Sequence, residues 1–539
     1  MRSTMQSFPL LVSDLLKHAG RYHGLTEVVS RAFDTDSSIV LRSNWGEVAE
    51  GAAQLANAFN RLGLPSGSCV GTLANNHLFH LHAYFAVPGS GRVLHTINPR
   101  MGIRKIAFAI NAANDSAILF DRQYRDLVQQ LESLCPGVAL WICMSEESQG
   151  EKPDGQYVDY RQLVSGEARE YRWPVLPEDA PASICFTSGT TGDPKGVVYS
   201  HRSVLIHSMM LNHVDVFGLS AVDSVLPIVP MYHVNAWGLP YAAAMSGARV
   251  VLPGDDLSGE ALFTLIVEEK VTIAAAVPIV LQRLLEVMGD QSPAPLSRCL
   301  VGGTACPHTL MTAFRERGVR IIKSWGMTEL SPIGAVDAPL NPHGRDRASS
   351  TVAAAGRPPF GISLDILDEQ QTSVSWDDSS VGELVARGHW VTGCYLDAEM
   401  SAGNDDWFHT GDVASLDADG YVTIRDRKKD MIKSGGEWIS SLELEHIANQ
   451  HEGVRLSAAV GVPCNRWGER PVVVLELHSG MTVTADELYR VFAAAGPKWT
   501  IPDRFYRIDT LPLTQTGKIE KRLVRDWMSA GNSAISLLK

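Results

Sequence analysis

The sequence predicts an α/β protein: a large N-terminal domain of mixed and parallel sheets flanked by helices, then a small α+β C-terminal domain. Three observations carry that prediction. At 539 residues the chain is longer than one hydrophobic core usually supports. Strand-like and helix-like runs alternate over residues 8–130, the rhythm of a parallel sheet with helices packed on its faces. Past a charge run at residues 426–430 the pattern shortens into a mixed order of small helices and strands.

In chain order, residues 45–62 carry apolar side chains at helical spacing and stop at Gly63. Residues 69–73 read as a strand, 80–86 as a helix, and 92–100 as a strand running into Pro99. A helix over 103–114 and a strand over 117–120 follow. Residues 145–180 are polar and proline-bearing, and read as a connection. Strands at 182–186 and 197–199 enclose a glycine-rich stretch, and a helix is expected over 201–214. His201, His207 and His213 lie six apart, which spreads them around that helix and argues against a shared metal. Further strands are expected at 224–229, 271–276 and 320–323, and 421–425 alternates as a strand. The C-terminal domain reads as a helix at 441–450, strands at 458–462 and 471–477, a helix at 485–495 and a strand at 504–508.

Bulk composition excludes several classes. A net charge of −13 argues against a nucleic-acid partner or an anionic membrane surface. No apolar run reaches the ~18 residues a spanning helix needs, and residues 1–11 do not form a signal peptide. Eight scattered cysteines without a C-x-x-C pair fit reduced thiols. The expectation is a soluble cytoplasmic enzyme, with a homodimer as one expected assembly although no residue pattern fixes it.

The richest chemistry lies in Thr187-Ser188-Gly189-Thr190-Thr191-Gly192-Asp193-Pro194-Lys195-Gly196. Its glycines let backbone approach an anion, its hydroxyls and N–H groups can wrap phosphate oxygens, and Lys195 adds positive charge. A Walker A loop is excluded, because Asp193 and Pro194 separate Gly192 from Lys195 and a strand, not a helix, follows. Other candidate segments are Met231-Tyr232-His233-Val234-Asn235-Ala236-Trp237-Gly238, the strand-end Gly302-Gly303-Thr304, Ser324-Trp325-Gly326-Met327-Thr328-Glu329, Thr410-Gly411-Asp412, and Thr514-Gln515-Thr516-Gly517-Lys518. Cys306 has no partner histidine in a recognisable pattern and reads as packing.

In these segments, and in their order, the chain resembles the adenylate-forming superfamily of acyl-CoA synthetases, peptide-synthetase adenylation domains and luciferases, with the acyl-CoA ligase branch nearest. The resemblance implies ATP, Mg²⁺ and CoA as cofactors and co-substrates. It implies that Thr187–Gly192 and Lys195 bind the phosphates, that Gly302, Gly303 and Thr304 form the adenine shelf, and that Ser324 to Thr328 contact the nucleotide. Glu329 and Thr187 would hold Mg²⁺, and Asp412 and Arg427 the ribose. The family commonly carries Tyr where Trp325 stands, a swap that keeps the stacking face and loses a hydroxyl. His233, Trp237, Val277, Gly302 and Trp325 would line the carboxylic-acid pocket, with Trp237 as wall or gate.

By the same resemblance, residues 1–425 form the adenylation domain, 426–430 a hinge with Lys429 at its pivot, and 431–539 a mobile domain. That domain brings Lys518 to the phosphate for adenylation, then Gly435 and Gly436 to the pantetheine arm, with Lys433 and Trp438 as nucleotide or CoA contacts. The implied reaction activates a medium- to long-chain fatty acid as acyl adenylate and transfers it to CoA, releasing AMP and pyrophosphate. A 3-methylmercaptopropionyl, short or cyclic acid remains an alternative substrate, and a carrier protein an alternative acceptor. A catalytically silent scaffold is the reading from a different class.

Overall fold

The computed structural model describes residues 3–32, 40–145, 157–187, 193–337, 354–398, 407–435, 437–513, 519–532 and 534–538. By its packing the chain divides into two compact units, Met1–Ser363 with Arg387–Phe408, and Leu364–Ala386 with His409–Lys539. This division records packing. The expected division at a 426–430 hinge concerns motion and is taken up below as a proposal.

In the first unit, seven strands form a sheet in the order Val158–Asp159, Leu140–Met144, Asp115–Asp121, Cys69–Leu73, Val93–Thr96, Pro181–Phe186, Gly196–Ser200. The alternation read over 8–130 is the source of its parallel centre. Helix Leu78–Gly89 is buried at every position from Phe79 to Gly89, as an all-round apolar helix must be. Residues 145–180 hold more structure than a connection. Strand Val158–Asp159 and helix Tyr160–Val164 form there, because Tyr160 stacks on Phe79 at 4.8 Å and its hydroxyl meets His82 Nδ1 at 2.9 Å.

Eight strands form the other sheet of this unit, in the order Ile333–Val336, Arg320–Gly326, Arg298–Val301, Ile273–Ala276, Ser224–Pro227, Arg249–Leu252, Glu27–Arg31, Val40–Asn44. Its inner strands are parallel. In such sheets ligands bind beyond the carboxyl ends of the strands. Four adjacent carboxyl ends here lead into His233 and Trp237, Val277, Gly302 and Gly303, and Thr328 and Glu329. Parallel pairing thereby gathers residues spread from position 233 to position 329 of the sequence.

In the second unit, strands Val422–Arg427, Phe408–Leu416, Gly382–Gly388 and Ile362–Leu367 lie side by side in that order. A second sheet runs Glu437–Ile439, Ile432–Ser434, Gly468–Leu477, Arg504–Arg507, Ser536–Leu537, with Val454–Cys464 also paired to Gly468–Leu477. Helices Ser441–Ala448, Ala485–Ala495 and Lys521–Ala530 accompany it. Helix Ala485–Ala495 has the expected bounds, fixed by a Thr484/Glu487 capping box. Among the described residues, no helix is long and apolar enough to cross a membrane.

Candidate functional site

Strands Pro181–Phe186 and Gly196–Ser200 are antiparallel, with Phe186 opposite Gly196. The phosphate-loop candidate therefore connects two antiparallel strands, and a strand, as expected, follows it. Its described ends are pinned: the Thr187 N–H donates to the Lys195 carbonyl at 2.9 Å, and the Lys195 N–H to Thr187 Oγ1 at 3.2 Å. Ser188, Gly189, Thr190, Thr191 and Gly192 lie outside the described residues.

Two contacts join this hairpin to the carboxyl end of strand Arg320–Gly326. The Tyr199 hydroxyl donates to the Thr328 carbonyl at 2.7 Å. Tyr395 sits between Lys195, whose Nζ lies 4.7 Å from its ring centroid, and Glu329, whose Oε1 accepts its hydroxyl at 2.8 Å. Burial, then the nearby Glu329 charge, pushes the Tyr395 phenol well above its usual range, so it stays a neutral donor. Glu329 is buried, and its carbonyl accepts from the Thr392 N–H at 2.8 Å. Acid, phenol and ammonium thus form one chain at the mouth of the hairpin. Tyr395 is a site residue that the sequence reading missed. It stands alone in Thr392-Gly393-Cys394-Tyr395, with no spacing signal to mark it.

The glycine pair divides its work. A Cβ on Gly302 would sit 2.7 Å from Ser324 Oγ and 3.4 Å from the Trp237 indole, so the protein's own packing demands that glycine. Gly303 has φ +85° and is exposed, and a Cβ there would meet only Val277, at 3.3 Å. Gly303 is the bare backbone a flat ring could rest on, with Thr304 exposed beside it. Trp325 packs its indole over Gly334, where a Cβ would lie 2.4 Å from the ring. Met327 is tied by its N–H to the Pro332 carbonyl at 3.0 Å, and Gly326 admits no side chain against that same carbonyl. Cys306 is buried, and burial pushes its thiol up to about 12, as a packing role requires.

Beyond half-buried His233 the chain does something no sequence signal announced. Val234, Asn235, Ala236 and Trp237 take φ of 46°, 51°, 48° and 56°, and Gly238 follows at 77°. A left-handed turn of L-residues costs roughly 1–2 kcal/mol per residue, so the surroundings must impose it. Its result is a buried Trp237 laid against Gly302.

In the second unit, Asp412 and Arg427 are cross-strand partners, with Arg427 Nε 2.6 Å from Asp412 Oδ1. The Asp412 N–H donates to Thr410 Oγ1 at 3.1 Å, which ties down the backbone that carries the buried carboxylate. Lys429 is exposed, and partial desolvation, then the nearby Arg427 and Arg525 charges, lowers its pKa. Strands Ile432–Ser434 and Glu437–Ile439 pair as a hairpin in which Lys433 lies opposite Trp438, with its Nζ 5.0 Å from the ring centroid. Gly435 turns that hairpin at φ +63° under the Trp467 ring, where a Cβ would come within 2.8 Å. Gly436 and Lys518 lie outside the described residues.

A model of the AMP-binding enzyme family matches residues 17–396, and one of the AMP-binding enzyme C-terminal domain matches 443–518. The chain belongs to the AMP-binding enzyme family. Among its relatives in this family is the 3-methylmercaptopropionyl-CoA ligase of Ruegeria lacuscaerulensis, 44% identical over 98% of both chains. The medium-chain-fatty-acid–CoA ligase of Ectopseudomonas oleovorans is 42% identical over 98% of this chain and 97% of its own. An anthranilate CoA ligase, AuaEII, solved with anthranoyl-AMP, has the same fold: TM-score 0.85 at 22% identity, covering 98% of this chain and 99% of that one.

In this AMP-binding enzyme Tyr395 links Glu329 to Lys195 at the end of the hairpin.

Proposed function

We propose that this AMP-binding enzyme is an AMP-forming acyl-CoA ligase acting on a medium- to long-chain fatty acid or, as the alternative, on a thioether acid such as 3-methylmercaptopropionate. The observation that carries the reading is the chain Glu329–Tyr395–Lys195, which sets a buried carboxylate and the hairpin's ammonium on either side of one tyrosine. Full-length relatives named as ligases of such acids support it.

The chemical obstacle is that a carboxylate must attack a polyanion. Lys195, the hairpin N–H groups and Lys518 supply preorganised positive charge where charge develops. The carboxylate oxygen attacks the α-phosphorus, the bond to pyrophosphate breaks, and an acyl adenylate results. The CoA thiol then gives up its proton to solvent, its sulfur attacks the acyl carbonyl, and AMP leaves with the bonding pair. Asp412 and Arg427 hold the ribose, Gly303 and Trp325 the adenine, and Thr328 the α-phosphate. His233 orients the acid carboxylate, while Trp237 and Val277 wall its chain.

Glu329 and Thr187 would hold Mg²⁺, which, when bound, would neutralise phosphate charge. The donor set fits. Magnesium takes one or two carboxylates and completes its shell with phosphates and water, and among the described residues no group of three or more acidic, His or Cys side chains competes. The same reading places a hinge at 426–430 between residues 1–425 and 431–539. Lys429 is its pivot, and Lys518 serves adenylation. Gly435, Gly436, Lys433 and Trp438 serve CoA. It takes the protein as cytoplasmic and homodimeric, the latter checked by light scattering.

The test is acid-dependent exchange of labelled pyrophosphate into ATP, across propionate to palmitate with methylmercaptopropionate, benzoate and a cyclic acid. Exchange with linear or thioether acids, and thioester only when CoA is added, supports the proposal. Absence of exchange with every acid, or acyl transfer to a carrier protein but not to CoA, contradicts it.

A further inference from the structure

Four non-glycine residues with left-handed dihedrals do not hold themselves in place. Within the turn the backbone contributes Ala236 N–H to the His233 carbonyl at 3.2 Å and Gly238 N–H to the Asn235 carbonyl at 2.9 Å. The remaining support comes from a side chain. Asn235, 5% exposed, donates through Nδ2 to Ser183 Oγ at 2.9 Å, and its Oδ1 accepts from Thr96 Oγ1 and Cys185 Sγ, each at 3.4 Å. Ser183 and Cys185 lie on strand Pro181–Phe186, which runs directly into Thr187. Thr96 ends the neighbouring parallel strand. All three partners are buried.

The segment entering the turn is held from the other side. The Met231 N–H donates to Asn76 Oδ1 at 2.6 Å, its carbonyl accepts from the Tyr84 hydroxyl, and Asn76 Nδ2 donates to the Pro227 and Val229 carbonyls at 2.8 and 2.9 Å. Asn76 therefore fixes where the turn begins, and Asn235 fixes the turn itself. Asparagine suits the post on two counts: it tolerates the left-handed region better than most residues, and its amide can donate and accept at once.

We propose that Asn235 is a positioning residue that sets which acyl chains are accepted, by bracing the left-handed turn to the strand that enters the phosphate hairpin. It acts through Trp237. The brace fixes the turn, the turn presses the indole on Gly302, and the indole closes the chain pocket. The inference rests on the reading of Trp237 as the pocket wall.

The test is steady-state kinetics of the full-length enzyme on linear acids from butanoate to dodecanoate, with Asn235→Gly, Asn235→Ala, Ser183→Ala and Trp237→Ala. Asn235→Gly removes the brace while keeping the dihedrals accessible. It should raise KM for the preferred acid ~10-fold, a pocket-contact effect, and shift the chain-length optimum, with KM for ATP nearly unchanged. Ser183→Ala should move the profile the same way by less, and Asn235→Ala should add a lower Tm. A wild-type chain-length profile in Asn235→Gly overturns the proposal, as does a uniform loss in which acid KM, ATP KM and Tm all worsen with the profile unchanged. If Trp237→Ala shifts the profile and Asn235→Gly does not, the brace is wrong while the wall reading stands. If Trp237→Ala leaves the profile untouched, the wall reading fails and the brace proposal with it.

Discussion

Glu329 and Lys195 carry opposite charges and share one tyrosine. Tyr395→Phe keeps the ring under Lys195 and removes the hydroxyl that Glu329 accepts. A hydrogen bond to a charged group is worth about 1.5–3 kcal/mol, so pyrophosphate exchange should slow ~10–100-fold with the fold intact, read by exchange rate beside a melting curve. A wild-type rate would remove Tyr395 from the site. Lys518→Ala should slow adenylate formation by ~10²–10³, the effect of losing one preorganised donor, yet leave CoA transfer from supplied acyl-AMP near normal. Single-turnover assays of the two half-reactions check it, and an equal fall in both would contradict the two-position reading. At this scale the sequence disclosed Glu329 and Lys195 because each stands in a dense motif. Tyr395 went unseen because a lone aromatic carries no spacing, and only the fold brings it between them.

The helices and strands were legible where side-chain period and caps agreed, as at Ala485–Ala495 with its capping box. The turn at Val234–Trp237 was not. Only Asn235 and Gly238 favour left-handed dihedrals, and the signal of Val, Ala and Trp points elsewhere. A second element-level device lies in the second unit. Lys521 Nζ, on helix Lys521–Ala530, lies 2.9 Å from Glu445 Oε1 and donates to Ser441 Oγ at 2.6 Å. The Ser441 hydroxyl and N–H in turn donate to Asp426 Oδ2. Both charges of the Lys521–Glu445 pair are buried. Lys521→Met strands Glu445 and should destabilise this unit by about 3–5 kcal/mol. Adding Glu445→Leu should recover much of that loss in denaturant titrations. An undisturbed midpoint in the single variant would show that the pair does not hold the helix.

Across the whole molecule, buried histidines set an acid limit on stability. Burial holds His80, His82 and His207 down to about 3 and His201 to about 4, whereas unfolded histidine titrates near 6.5. Above that value all four are neutral in both states and contribute nothing. Below it the unfolded chain takes up protons that the native state refuses, so stability falls as pH falls, by about 1.4 kcal/mol per histidine per pH unit. Melting temperature should therefore drop steeply from pH 6.5 toward 4, and a flat profile would contradict the burial. The two-part architecture was legible from length and the change of pattern near residue 430. The packing division, which places Leu364–Ala386 with the C-terminal part, was not, because long-range contacts leave no local signal. The most direct test of the chemistry follows one oxygen. With a carboxylic acid labelled by ¹⁸O in both positions, mass spectrometry should find one ¹⁸O in the released AMP for every acyl-CoA formed. Label found in inorganic phosphate instead, or AMP free of label while thioester accumulates, would contradict an acyl-adenylate route.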